Sequence, residues 1–210
     1  MYIFFDNLNA MIIGSAVILM LLSLQLRMTE INIEETANYM VKRQGADLAT
    51  WMEDDLLTIG ENLDATDTWF NDPVYALANG DSVTTSFTFM REQETPGGTV
   101  PVTTRYSLQP ADTLVVDGVV TTAYRLVRDT SANGGAFVNG GASNALMSYF
   151  RLDLVNSDIK LVQNPSAVAA ADPDSIWNVR VRFALVTPFE TDQTTLHRVY
   201  YGSTLMLPMD

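Results

Sequence analysis

Apolar and polar positions divide the chain into two regimes of different period. From Leu8 to Leu26 there are 19 uncharged residues, whose polar members are Asn9, Ser15, Ser23 and Gln25. About 20 such residues suffice to cross the hydrocarbon core of a bilayer. Beyond Arg27 the pattern becomes amphipathic without a break, with no Pro and only two Gly before Leu63. Val41, Leu48, Met52 and Ile59 recur at helical spacing, Ala37 and Gly45 fall on the same stripe, and Leu56 and Ala49 widen it. Such a stripe suits a helix with one face on a globular domain. Glu30, Glu34, Glu35, Lys42, Arg43, Asp47, Glu53 and Asp54 fill other positions, and the run Glu53-Asp54-Asp55 reads as a solvated face. The turn-forming stretches DATD at 64–67 and NDP at 71–73 end the pattern. One helix is predicted from about Asp6 to about Leu63, roughly 85 Å long at 1.5 Å per residue.

The remainder reads as β structure. Strand-like runs fall at 82–92, 100–108, 113–129, 146–155, 159–162, 177–186 and 195–207. The third has Asp117-Gly118 at its centre, a hairpin signal. Within 177–186, Val179, Val181, Phe183 and Leu185 alternate with Asn178, Arg180, Arg182 and Ala184. That is the two-residue period of a strand with one buried face, and it leaves Arg180 and Arg182 outward and solvated. The segments 94–98, 133–144 and 164–175 read as loops. The predicted class is α+β: a long N-terminal helix over 1–63, with an apolar membrane or filament-core half at 8–26 and an amphipathic half at 27–63, packed on an antiparallel β domain over 64–210. About five to seven strands follow from the counted signals.

Composition narrows the chemistry more than it directs it. A net charge of −13 and only two lysines, Lys42 and Lys160, argue against a nucleic-acid partner, because phosphate binding needs clustered cations. Mean hydropathy of +0.08 suits a globular protein carrying one membrane segment. The absence of cysteine excludes disulfides, thiolate nucleophiles and thiolate metal sites. His197 is the single histidine; it lies in a strand pattern with no G-x-S-x-G serine to partner it. Gly134-Gly135 and Gly140-Gly141 read as loop punctuation. Asp64, Asp67, Asp72, Asp172 and Asp174 read as turn formers, without the spacing of a calcium loop. No catalytic residue, metal site or cofactor is expected.

The opening residues MYIFFDNLNAMIIGSAVILMLLSLQLRM lack the basic start and small-residue cleavage site of a secretory signal. They also lack basic residues in front of the apolar run. A helix apolar in its first half and packed on a β domain in its second resembles the plan of type IV pilins and type II secretion pseudopilins. The stretch MVKRQGADLATWMEDDLLTIGEN (40–62) resembles the end of that helix in the larger W-type minor pilins and J-type minor pseudopilins, through Arg43, Gly45, Leu48, Met52, Asp55 and Gly60. The patterns TRYSLQ…TLVVDG…AYRLVRD and SIWNVRVRFALVTP…TTLHRVYYGSTLML are similar to later strands of the same proteins. Precursors in the family carry a basic leader ending in Gly, which this sequence lacks. Counting from Tyr2, however, gives an aromatic residue, three apolar residues and then Asp6, in the register where the family places an acid. Met1 then stands where a leader would end, so either the leader is missing from the sequence or the subunit is used unprocessed.

The resemblance implies a structural subunit without enzymatic activity, whose partners are other pilin-like subunits. It places Asp6, Tyr2, Phe4 and Phe5 at contacts between subunits. Asp6 would pair with a neighbour's N-terminal amine; the competing explanation leaves it at the membrane–water interface. Leu8, Met11, Ile12, Ile13, Val17, Ile18, Leu19, Leu21, Leu22 and Leu24 would sit in the cytoplasmic membrane before assembly and in a filament core, at the cell surface or in the periplasm, after it. Val41, Gly45, Leu48, Met52, Leu56 and Ile59 would pack on the sheet. The alternative is a single-pass, membrane-anchored envelope protein with a ligand-binding β ectodomain, which predicts a helix that stops or bends near Arg27.

Overall fold

The computed structural model describes residues 2–63, 69–116, 119–162, 176, 178–186 and 198–207, without the side chains of 2–6, 115–116 and 119. The protein is α+β. Helix α1 runs from Tyr2 to Leu56, and among the described residues eight strands follow: β1 (Val74–Ala78), β2 (Asp81–Thr95), β3 (Gly98–Val116), β4 (Val119–Ala132), β5 (Val138–Ala142), β6 (Leu146–Val155), β7 (Asn178–Val186) and β8 (Arg198–Met206). The chain divides into two compact units, Met1–Met40 and Val41–Asp210.

In the first unit the chain is helical from Tyr2 onward, and the side chains of 7–33 are exposed. In the second, the end of α1 packs on the sheet. Val41, Leu48, Ala49, Met52 and Leu56, with Ile59 just beyond, join a core that includes Phe87, Phe89, Tyr106, Leu126, Phe150, Leu152, Val181, Phe183 and Leu185. Each large side chain buried there contributes about 1.5–3 kcal/mol of transfer free energy. Gly45 is buried against β7: a Cβ on it would lie 3.0 Å from Leu185 Cδ1.

α1 ends seven residues before Leu63, because the sheet takes over its backbone. Leu57 N–H still donates to Glu53 O, but Thr58 and Ile59 step back to Asp55 O and Leu56 O, a tighter turn. Gly60 N–H then donates to Met90 O on β2, and Glu92 N–H to Glu61 O. Gly60 has φ +77°, and a Cβ there would lie 3.0 Å from the Trp69 ring. Left-handed backbone costs an L-residue about 1–2 kcal/mol, so Gly60→Ala is expected to lower the urea midpoint of unfolding by at least that equivalent. An unchanged midpoint would show that the turn relaxes freely.

All strand pairs are antiparallel, in the order β1-β2-β3-β4-β6-β7-β8, with β5 paired to β4. The runs 100–108 and 113–116 form one strand, β3, because Pro110 and Asp112 are absorbed in an irregularity of the β3–β4 register. Segment 94–98 is a tight turn, with Thr95 opposite Gly98. Two strands were not predicted. β1 is joined to β2 through Asn79 and Gly80, at φ 51° and 86°, the geometry of a two-residue hairpin turn. β5 lies inside the Gly-rich segment read as a loop. In the other direction, 159–162 forms only a bridge between Leu161 and Val155. There Asn156 N–H donates to Lys160 O and Lys160 N–H to Asn156 Oδ1, closing a turn that leaves no length for a strand.

β4 and β6 pair only at Tyr124 and Met147. The start of β2 fills the gap beyond: Thr84 Oγ1 donates to Leu152 O at 3.3 Å and accepts from Leu152 N–H at 3.0 Å. The Asn79 amide donates to Thr122 O and Ser148 O and accepts from Thr122 N–H. Backbone groups opened by the divergence are thereby satisfied by side chains.

Candidate functional site

Two features stand apart: an apolar helix surface with no cover, and polar contacts that fasten the helix end to the sheet. The apolar surface is on α1. Its most apolar window has mean hydropathy 2.0 and is 0% buried, so the helix is long and apolar enough to cross a membrane. Leu8, Met11, Ile12, Ile13, Val17, Ile18, Leu19, Leu21, Leu22 and Leu24 are all exposed, by 46% to 75%. Ser15 and Ser23 donate to the helix's own Ile12 O and Met20 O at 2.9 and 2.8 Å. These hydroxyls therefore bring no unsatisfied donor to an apolar surrounding, where one costs several kcal/mol by the usual estimate of about 2–7. Tyr2, Phe4, Phe5 and Asp6 belong to the helix, but their side chains lie outside the described residues.

The second feature centres on Asp55. Arg128 of β4 grips it with two hydrogen bonds, through Nε to Oδ2 and through Nη2 to Oδ1, and Tyr106 OH of β3 donates to Oδ2 at 2.6 Å. Asp55 and Arg128 side chains are each 15% exposed. Burial, with the charge of Asp55 and the hydrogen bond to it, pushes the Tyr106 phenol well above its usual range. Burial opposes the charge on Arg128, but the hydrogen bonds and charge of Asp55 outweigh it and hold the guanidinium protonated more firmly than usual. Gly140 of β5 closes over this group: a Cβ there would lie 2.8 Å from Arg128 Nη1. Trp51 meets the Tyr106 ring edge-on at 5.9 Å. Two residues before Asp55 on α1, Glu53 Oε1 accepts from Tyr201 OH of β8 at 2.6 Å. Burial and that bond raise the Tyr201 phenol too. The run Glu53-Asp54-Asp55 is thus not a uniformly solvated face. Asp54 alone is exposed, while its neighbours flank the buried Met52 and Leu56 and turn to the sheet.

A second carboxylate, Asp153 on β6, is 3% exposed. It accepts from Arg151 Nε at 2.8 Å, from Arg182 Nη2 at 2.6 Å and from Tyr75 OH at 3.3 Å. Arg182 is therefore paired, not merely solvated. The pairing depends on β6 lying beside β7 with Asp153 diagonal to Arg182, a neighbour relation that the period of either strand alone does not give, and β1 carries Tyr75 over Asp153. Burial and the charge of Asp153 raise the Tyr75 phenol to about 12. A raised phenol favours the folded state while it is protonated. This contribution is complete below about pH 10, the unfolded value, and is lost as pH climbs towards 12. Stability followed through alkaline pH is expected to fall less steeply in Tyr75→Phe than in the native chain; parallel curves would remove Tyr75 from the effect.

Among the described residues, no group of three or more His, Asp or Glu is placed to hold a metal ion. Asp72 is exposed near β1. His197, Asp64, Asp67, Asp172, Asp174 and the turn residues Asp117 and Gly118 lie outside the described residues. Among the described residues, a cavity of about 160 Å³ lies beside Trp51 and Ser143 and one of about 220 Å³ beside Tyr149 and Tyr200. Both are below the roughly 300–1,000 Å³ usual for small-molecule sites. No family model, curated protein or solved structure matches the chain.

Proposed function

We propose that the chain is a structural subunit of a type IV pilus-like or type II secretion pseudopilus-like filament, of the minor-pilin or minor-pseudopilin kind. The observation that supports this reading is the apolar, fully exposed surface of residues 8–26, carried on a helix that continues through Arg27 to a segment fastened on an antiparallel sheet. In this account the apolar segment is held in the cytoplasmic membrane before assembly. Packing against the same segment of neighbouring subunits then replaces lipid contact, so that assembly need not expose apolar side chains to water.

Asp6 is the charge this scheme has to accommodate, since a carboxylate at the edge of hydrocarbon is costly without a partner. A neighbour's N-terminal amine supplies one. Asp6→Ala is expected to reduce incorporation into filaments while leaving the β domain folded, measured by quantifying the subunit in sheared filaments and by circular dichroism of the purified chain. Equal incorporation would remove the pairing. Imaging of the purified native assembly tests the whole reading. A helical or tip assembly supports it, and isolated membrane-bound monomers favour the single-pass ectodomain instead.

A further inference from the structure

We propose that the pocket over Ala184 in the β domain is a binding site for a single ring of a neutral sugar. The site lies within the unit Val41–Asp210 and stands whether the apolar helix serves a filament or only an anchor. Strand register builds its base: Ala184 of β7 is opposite Tyr149 of β6 on one side and Tyr200 of β8 on the other. Directly opposed residues share a sheet face, so two phenol rings flank a side chain of one carbon. At two strand spacings their backbones are about 9–10 Å apart, which leaves room for a ring between them. The other face of β7, with Phe183 and Leu185, is the core. Asp81 at the start of β2, Arg198 at the start of β8 and Ser148 complete the wall. The turn that carries Asp81 is fixed from behind, because the Asn79 amide donates to Thr122 O and Ser148 O and accepts from Thr122 N–H. Both N–H donors of Asn79 are thereby engaged, and its part is to position the wall.

Size, charge and hydrogen-bonding capacity select the ligand. The cavity holds about 220 Å³, too little for an extended ligand, whereas a cavity of about 150 Å³ already takes up benzene. One six-membered ring with its hydroxyls matches that size. Asp81 and Arg198 carry opposite charges, and among the described residues neither forms an ion pair, with the other or with any third group. The lining is therefore neutral in sum, and the net charge of −13 on the chain disfavours an anionic ligand. Ser148 is the extra residue of an irregularity between Met147 and Tyr149, a device that re-aims a side chain out of strand alternation. It is 4% exposed, and its hydroxyl has no partner within the chain, a deficit that a hydroxyl-bearing ligand makes good. Each sugar hydroxyl both donates and accepts, so one ring can donate to Asp81, accept from Arg198 and meet Ser148 in either sense. The C–H faces of the ring are apolar and suit the faces of Tyr149 and Tyr200, the latter 70% exposed. A zwitterion would engage the two charges and leave Ser148 unmatched.

Ligand-observed nuclear magnetic resonance tests the site on the full chain, held in a detergent without a sugar headgroup. The probes are the methyl glycosides of glucose, galactose, mannose and N-acetylglucosamine, the anionic methyl glucuronide, and free alanine as a zwitterion. At least one neutral glycoside is expected to bind with a dissociation constant in the millimolar range, as so few ligand atoms allow, and more tightly than the glucuronide. Tyr200→Ala and Arg198→Ala change exposed side chains. Each is expected to weaken binding about tenfold and to leave the urea midpoint of unfolding unchanged, while Tyr200→Phe, which keeps the ring, retains most of the affinity. No binding of any neutral glycoside overturns the proposal, and so does binding that both alanine variants leave intact; the filament reading stands in either case. Binding of alanine in place of the glycosides, lost in the same variants, assigns the pocket to zwitterions and overturns the proposal. Tighter binding of the glucuronide, lost in Arg198→Ala, assigns it to anions and does the same.

Discussion

Asp55→Ala is expected to lower the unfolding free energy of the chain by about 3–5 kcal/mol, the range for breaking a buried ion pair from one side. The large effect comes from what is left behind. Arg128 stays charged, with a side chain only 15% exposed, and Gly140 of β5 lies against its Nη1. Tyr106, fully buried, loses the acceptor of its hydroxyl. An uncompensated guanidinium and an orphaned phenol both disfavour the folded state, whereas removal of a whole pair leaves neither. Asp55→Leu combined with Arg128→Met should therefore be much less damaging than Asp55→Ala alone, because apolar replacement of buried pairs is often close to neutral. Asp55→Asn keeps an acceptor for Tyr106 but not the charge, and should fall between. Urea unfolding in detergent, followed by the fluorescence of Trp51 packed on Tyr106, measures all three. A loss below about 1 kcal/mol for Asp55→Ala, the scale of an exposed pair, would mean that the contact is solvated in solution.

Legibility in the sequence differs sharply between these features. The stripe of Val41, Leu48, Met52, Leu56 and Ile59 could be read because helical period alone decides which side chains share a face. The ion pair could not be read from the helix, since Asp55 sits at the rim of that stripe inside an acidic run. The usable signal was on β4. Arg128 alternates in phase with Leu126, which is fully buried, and an inward-facing arginine on a strand demands a carboxylate. Asn79-Gly80 is a comparable signal for β1, but the run Val74–Ala78 in front of it is only five residues long and directly follows the turn-forming NDP at 71–73. At β5 the glycines looked like punctuation. Gly140 has no Cβ because Arg128 lies there, and Gly141 adopts φ +137° in an irregular register. Close approach to a neighbour is the other reason for glycine in a strand. The apolar period continues through Ile59, but the helix stops short of Leu63 because Gly60 turns left-handed and donates to the Met90 carbonyl on β2, Gly being the usual residue just past a helix end.

Ile18→Arg is the second large effect expected, and it separates anchoring from assembly. Ile18 is next to the middle of the apolar stretch and 59% exposed on the helix, so the substitution meets no steric obstacle within the chain. An arginine at the centre of a membrane helix costs about 2.5–3.5 kcal/mol on insertion scales, and snorkelling and water defects limit the penalty. Against a window of mean hydropathy 2.0, that penalty reduces membrane retention without abolishing it. A tightly packed bundle of apolar helices offers no such relief, because the guanidinium cannot reach water past its neighbours and no carboxylate lies within the apolar stretch to meet it. If the chain assembles as proposed, incorporation into filaments is therefore expected to fall at least tenfold, which corresponds to about 1.4 kcal/mol, and by more than membrane retention falls. Ile18→Leu, which keeps volume and polarity, should leave both unchanged. The measurement compares carbonate-resistant membrane fractions with sheared filaments for the three chains. Equal loss in both fractions would show that the segment acts only as an anchor, and undiminished incorporation of the arginine variant would remove residues 8–26 from the filament core.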